Sequence, residues 1–305
     1  MTNFNFVKNK NYFLIFSGIL IVVSLVFVIM WGLKPGLDFT GGSLVEVNFK
    51  DQRPANQEIE DKLASLVGKP SVIPVGEQGA IIKMKLIDEA QHQQVLSSLR
   101  ELTGSTEINS IIEKRFEMIG PTVSSDLRSK SFWAVFFVLL AIIIYIAFAF
   151  RKVSRSIQSW KYGVCAVLAL FHDIIIPIGV FAALGHFMGI EVDTLFITAL
   201  LTVLGFSVHD TIVVFDRIRE NLYKFSRENF EEVVNRSINQ TLTRSINTSL
   251  TVLLVLLATF FFGGESVKYF VLTLIIGVTF GTYSSIFIAS PLLVTWNRLS
   301  HKKGV

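Results

Sequence analysis

Asp210 and Arg244 carry the chemistry most worth explaining in this chain. Residues 193–221 read DTLFITALLTVLGFSVHDTIVVFDRIREN, an apolar run of membrane length with the acid Asp210 lodged inside it. An ionised carboxylate in the middle of a bilayer costs roughly 2.5–3.5 kcal/mol on insertion scales. A chain keeps such a residue mainly where helices enclose a polar interior, so an acid at this depth marks a functional site by default. Asp210 lies six residues before Asp216, about 9 Å along a helix axis. The apolar segment ending at residue 262 has only 13 residues free of strongly polar groups, 250–262, so it must begin near Thr243 to reach ~20. Arg244 then stands at the cytoplasmic end of that segment. Antiparallel packing of the two segments puts Asp210 and Arg244 at similar depth, where they are expected to pair directly or through water.

A carboxyl group in low dielectric resists ionising, whereas a nearby guanidinium favours the charged form. Moving the arginine toward or away from the acid therefore changes its hold on a proton, the minimum needed to couple proton passage to helix movement. One charge moved through 100 mV is worth about 2.3 kcal/mol, enough to bias a two-state element roughly fiftyfold. Supporting polar groups are expected in Thr202 and Ser207 beside Asp210, in His209, in Asp173 of the preceding segment, and in Thr248. Thr241, Thr248 and Thr251 fall with Arg244 at spacings of three and four, one stripe of a helix. Two plainer readings stand beside this one. Arg244 snorkels to lipid headgroups, or Asp210 serves only as an interhelical hydrogen-bonding residue. The pairs His172–Asp173 and His209–Asp210 suggest metal ligation, but adjacent helical residues point about 100° apart and chelate poorly. No metal or cofactor is expected.

The elements that must hold these residues follow from hydropathy. The chain has 305 residues, 51% of them apolar and only 17% charged, well below the ~25% charge of soluble domains. Apolar segments occupy about 12–31, 132–150, 162–187, 194–215, 243–262 and 269–296, each long enough to cross a hydrocarbon core of ~30 Å. The first is longer than a signal-peptide core and has no A-x-A-like site after it, so it reads as an uncleaved anchor. Lys and Arg crowd residues 8–10, 151–161, 217–244 and 298–303, and are absent from 189–193 and 263–267. The positive-inside rule puts both termini in the cytoplasm. Residues 32–131 carry a net charge of −2 and the remainder +6, so the basic balance reflects topology and not binding to nucleic acid. Cys165 is the lone cysteine, which excludes an intrachain disulfide.

Three domains are expected: a cytoplasmic N-terminus and first helix at 1–33, an extracytoplasmic α+β domain at 34–130, and helices two to six at 131–305. Within the middle domain, alternation predicts strands at 43–49, 71–75, 80–86 and 107–117, and apolar spacing predicts helices at 56–67 and 90–102. That β-α-β-β-α-β order suggests a ferredoxin-like sandwich. In the last segment, Gly277, Gly281, Ser285 and Ala289 recur at four-residue intervals, a ridge for close helix packing and not a site.

Two stretches resemble a known family. LDFTGG at 37–42 resembles the signature shared by SecD and SecF, and GFSVHDTIVVFDRIREN at 205–221 resembles the fourth-helix signature of SecF. The chain is thus similar, over nearly its full length, to the SecF branch of the SecD/SecF protein-export family, related to the RND transporters. The resemblance implies six transmembrane helices forming an RND-like half, with the small domain inserted between helices one and two. It implies a non-enzymatic subunit of the bacterial inner membrane that uses the proton gradient to help exported, unfolded polypeptide through the SecYEG channel. SecD, SecYEG, the exported chain and the lipid bilayer are the implied partners. It puts the proton relay on Asp210 and Arg244; His209 departs from the Asn expected in many relatives. Asp38, Phe39, Thr40, Gly41 and Gly42 read as a domain-junction bend, the glycines permitting a tight turn. An RND-type exporter of small molecules or ions is the alternative. An intramembrane hydrolase is disfavoured, because neither HExxH nor G-x-S-x-G is present.

Overall fold

The computed structural model describes residues 4–104, 110–149, 159–225 and 227–302. They fall into two compact units, Pro35–Ser131 and the pair Met1–Lys34 with Phe132–Val305. In chain order, helix α1 (Lys10–Trp31) leads to a single turn α2 (Leu37–Thr40), strand β1 (Gly42–Phe49), α3 (Asn56–Val67), β2 (Ser71–Val75), β3 (Gly79–Met84), α4 (Glu89–Leu102) and β4 (Ile111–Ile119). Long helices follow: α5 (Pro121–Ala149), α6 (Ser159–Met188), α7 (Thr194–Lys224), α8 (Phe230–Phe262), α9 (Glu265–Ser284), a π-helical turn (Ser285–Ala289) and α10 (Ser290–Lys302).

The Pro35–Ser131 unit is a four-stranded sheet in the order β2-β3-β1-β4, every neighbouring pair antiparallel. Val45, Val47 and Phe49 alternate inward from β1. They meet Ile59 and Leu63 of α3 and Val95 and Leu99 of α4 in one buried cluster. The third strand stops at Met84, two residues earlier than alternation suggests. There the Ser43 hydroxyl accepts from the Ile87 amide at 3.1 Å, turning the chain toward the Asp88 cap of α4 and leaving Leu86 exposed. The last strand runs on to Ile119; residues 105–109, where it was expected to begin, lie outside the described residues. The motif at 38–42 forms α2 and the bend after it. Gly41 and Gly42 have φ of +70° and +125°, and a Cβ on Gly42 would lie 2.5 Å from the Met84 carbonyl oxygen. Arg128 Nη2 donates to the Phe39 carbonyl at 2.5 Å, so the motif is tied to the strand of chain that leaves the same unit.

The second unit is a helix bundle. Among the described residues, six helical stretches are long and apolar enough to cross a membrane: Lys10–Trp31, Pro121–Ala149, Trp160–Met188, Thr194–Lys224, Phe230–Phe262 and Ser266–Leu299. Helices α6, α7 and α9 form its buried centre. Glycines set the spacing. A Cβ on Gly179 of α6 would strike Ser24 of α1 at 2.4 Å, and one on Gly277 of α9 would strike Val203 of α7 at 2.1 Å. Cys165 is buried among Tyr162, Ala169 and Phe215 as a packing residue. Helix α8 begins at Phe230, more than three turns before the expected start near Thr243. Its early polar face is used: the Asn235 and Asn239 amides donate to the Phe4 carbonyl at 3.1 and 2.9 Å. Helix α5 is covered only along a narrow strip around Ile146, and Phe132, Trp133, Phe137 and Phe148 remain exposed. The last apolar segment is not one continuous α-helix, since the π-helical turn interrupts it. The turn comes just before Pro291, which lacks the N–H that would continue the α ladder.

Gly277→Ala should destabilise the bundle by about 1–3 kcal/mol through overpacking against Val203. Thermal unfolding in detergent should show the loss, and Val203→Ala in the same chain should restore most of it.

Candidate functional site

Helix α7 buries Phe196, Ala199, Leu200, Val203, Ser207, Asp210 and Val214, a three-and-four spacing that turns one face inward. Asp210 therefore points into the bundle, with 7% of its surface exposed. Both carboxylate oxygens are engaged. Ser245 Oγ of α8 donates to Oδ1 at 2.8 Å, and Ser285 Oγ of the π turn donates to Oδ2 at 3.0 Å. Three turns of the bundle thus converge on one acid, as a buried carboxylate requires.

Asp173 on α6 forms a second centre and is wholly buried. His172 Nδ1 lies 2.8 Å from its Oδ1. Ser207 of α7 donates to Oδ2, and Ser284 of α9 donates to the same oxygen at 2.7 Å. The neighbouring His and Asp side chains thus do meet here, although helical geometry argues that adjacent residues diverge. His209 and Asp210 make no such contact among the described residues; His209 faces outward. Ser207, expected beside Asp210, serves Asp173. The two centres share α7, through Ser207 and Asp210 one turn apart, and share the junction of α9 with the π turn, through consecutive Ser284 and Ser285.

Arg244 is exposed, and among the described residues no ion pair joins it to Asp210. Helix α8 meets the acid one residue later, at Ser245. A rotation of about 100° per residue then carries the guanidinium round to a face of α8 that this chain leaves uncovered. Thr202 and Thr248 are exposed as well, and their hydroxyls bond to their own helices, at the Thr198 and Arg244 carbonyls. Asp216 pairs with Arg219 one turn on, at 2.7 Å.

The serines carry the site, and sequence reasoning missed three of them. The small-residue ridge 277, 281, 285, 289 was expected to pack only. Gly281 does pack, against Ser207, but Ser285 is a direct ligand of Asp210. Ser245 and Ser284 drew no attention. A signal for Ser284 and Ser285 was present in that dipeptide, with Ser285 six residues before Pro291. Among the described residues, no three His, Cys, Asp or Glu side chains gather as metal ligands. Each centre is instead a carboxylate ringed by hydroxyls, a set suited to gaining and losing a proton or to meeting a hard cation with oxygen ligands.

A family model described as "Protein export membrane protein SecD/SecF, C-terminal" matches residues 99–299, and one described as "SecD/SecF GG Motif" matches 32–52. The chain is 42% identical to the protein translocase subunit SecF of Thermobaculum terrenum, covering 93% of this chain and 91% of that one. It is 39% identical to the SecF of Anaerolinea thermophila, covering 96% and 94%. Among solved structures it is similar to SecDF, a translocon-associated membrane protein from Thermus thermophilus, with a TM-score of 0.82 and 32% identity over 97% of this chain. It spans 39% of the length of that SecDF chain. A SecDF structure in a super-membrane-facing form matches at a TM-score of 0.71 and 31% identity. These relatives do not favour the small-molecule exporter.

Asp210→Ala would leave the Ser245 and Ser285 hydroxyls facing an apolar gap and should lower stability by about 1–3 kcal/mol. Asp210→Asn, which keeps an acceptor and the shape, should lose less than half of that. Thermal unfolding of the two purified variants distinguishes them.

Proposed function

The chain belongs to the SecD/SecF family of protein-export membrane proteins, and on that footing we propose that it is a proton-driven, non-enzymatic auxiliary subunit of Sec export. It works with SecD beside the SecYEG channel on unfolded exported polypeptide. The observation that carries this reading is Asp210, a carboxyl group nearly sealed from the surface and held by hydroxyls from two other stretches of the bundle. Asp210 takes up a proton from one side of the membrane and releases it to the other. Each transfer changes which hydroxyls donate to it, and so changes the seating of α7 against α8 and the π turn. Arg244 stands one residue from Ser245, about 100° of helix rotation from the face that meets the acid. Its approach favours the ionised carboxylate, and its withdrawal favours the protonated one. His209, Thr202 and Thr248 line the outer faces of the same two helices and accompany that exchange.

The remaining placement follows from charge. The Lys and Arg of 151–161, 217–244 and 298–303 keep those segments and both termini on the cytoplasmic side of the bacterial inner membrane. Residues 34–130 then form the extracytoplasmic domain, flanked by 1–33 and 131–305. Its strand order and β-α-β-β-α-β sequence support a ferredoxin-like assignment. The motif at 38–42 acts as the junction through which helix movement reaches that domain. SecD is the natural partner, since the solved relatives carry both names in a single chain.

Translocation into membrane vesicles tests the scheme. With Asp210→Asn, export should lose its dependence on the proton gradient while the subunit still assembles. Arg244→Ala should slow export at least tenfold, and Arg244→Lys should retain part of it. Collapsing the proton and sodium gradients separately identifies the coupling ion. Full gradient-dependent export by Asp210→Asn defeats the reading.

A further inference from the structure

We propose that Asp173 is a second proton-holding carboxylate in this bundle, and that Ser284 and Ser285 transmit the state of Asp210 to it through the π turn. The proposal rests on the reading that Asp210 exchanges a proton. It starts from the two serines. Each has one hydroxyl proton and two acceptors within reach. Ser284 Oγ lies 2.7 Å from Asp173 Oδ2 and 3.0 Å from the Gly281 carbonyl. Ser285 Oγ lies 3.0 Å from Asp210 Oδ2 and 2.9 Å from the Thr282 carbonyl. A hydroxyl that donates to the carboxylate leaves the carbonyl, and the reverse.

When Asp210 gains a proton, its carboxyl group becomes a donor. Ser285 then turns its hydrogen to Thr282 and accepts from the acid. The proton balance is simple: one proton arrives on Asp210, the serine proton only reorients, and the same proton later leaves. Ser284 is the adjacent residue, so the backbone carries the adjustment to Asp173. The π turn makes that adjustment available. It holds one more residue per turn than an α-helix, and restoring the α register rotates the residues before it by about 100°. Ser290 Oγ donates to the Ser285 carbonyl at 3.4 Å, occupying an oxygen that the wide turn exposes.

His172 supplies the second, independent observation. It is wholly buried, its Nδ1 faces the Asp173 carboxylate, and its Nε2 has no hydrogen-bond partner among the described residues. A carboxylate partner fixes the proton on Nδ1 and leaves the Nε2 lone pair open. The pair can therefore hold one proton more than Asp173 alone. The titratable groups around Asp173 are His172 on its own helix, Asp210 on α7 through the serines, and Tyr283 on α9. The Tyr283 ring stacks on His172 at 6.1 Å, and its hydroxyl meets Ser17 and the Phe13 carbonyl of α1. Among the described residues, helix α8 reaches Asp210 through Ser245 and the Thr282 hydroxyl through Ser249, and neither serine titrates. No lysine or arginine makes an ion pair with Asp173 among the described residues.

Infrared difference spectra of the carboxyl C=O stretch, recorded against pH on the full chain assembled with its partner subunit, test this. Wild type should show two titrating bands. Asp210→Asn should remove one and Asp173→Asn the other. Each substitution should shift the midpoint of the surviving band by about one pH unit, a tenfold change in proton affinity, the level at which two sites titrate as a pair. Ser284→Ala keeps both carboxyl groups and should bring the two midpoints to within a few tenths of their uncoupled values; it carries the same test if Asp173→Asn fails to assemble. An Asp210 band that titrates in Asp173→Asn and in Ser284→Ala as it does in wild type overturns the proposal and leaves the export reading intact. No titrating Asp210 band in wild type overturns both.

Discussion

A carboxylate withdrawn from water must find hydrogen-bond donors nearby, and in a bundle of helices those donors can come only from side chains, because the backbone amides are spent on the helices themselves. That constraint organises the bundle. Asp210 draws a serine from α8 and one from the π turn; Asp173 draws its own histidine, a serine from α7 and a serine from α9. Short hydroxyl side chains reach a carboxylate only if the helices approach closely. Gly277 and Gly281 permit that approach by presenting no side chain to Val203 and Ser207. The acids, the serines and the glycines are therefore one arrangement, and altering any member disturbs the spacing that the others need.

Hydroxyl donors give the site its character. A buried ion pair holds its charge state firmly, because removing either partner leaves an uncompensated charge. A ring of hydroxyls does not discriminate so sharply, since each can donate to a carboxylate or accept from a carboxylic acid. The carboxyl groups of this bundle are thus supported in either protonation state. Arg244 lies outside that ring, next to Ser245, and the seat of the acid is built without it.

Much of this was legible in the residues. Alternation predicts β2 and helical spacing predicts α3 with the limits observed, and hydropathy predicts six membrane segments, as many as the described residues hold. Asp210 stood out because a charge in an apolar run is rare. The serines did not, for a physical reason: hydroxyl residues in membrane helices usually bond to a carbonyl one turn back, as Thr198, Thr202, Thr248 and Thr279 do here. Sequence cannot tell those from Ser245, whose acceptor lies on another helix. The π turn was hidden as well, since one surplus residue leaves hydropathy unchanged, and only Pro291 hinted at it. The π turn in turn let Ser285 serve two roles, on the small-residue ridge and at the acid.

Helix α1 packs chiefly on α6, where Gly179 meets Ser24 and His186 stacks on Trp31 at 4.6 Å. More than a hundred residues separate these helices in the chain. A ribosome adding about 5–20 residues per second needs on the order of ten seconds or more to deliver the mate of the first helix. Until then α1 lacks both the α6 surface that covers Ser24 and the ring that stacks on Trp31, and the Tyr283 hydroxyl that Ser17 meets comes later still. Order of synthesis thus separates the making of the first helix from the closing of the bundle around it.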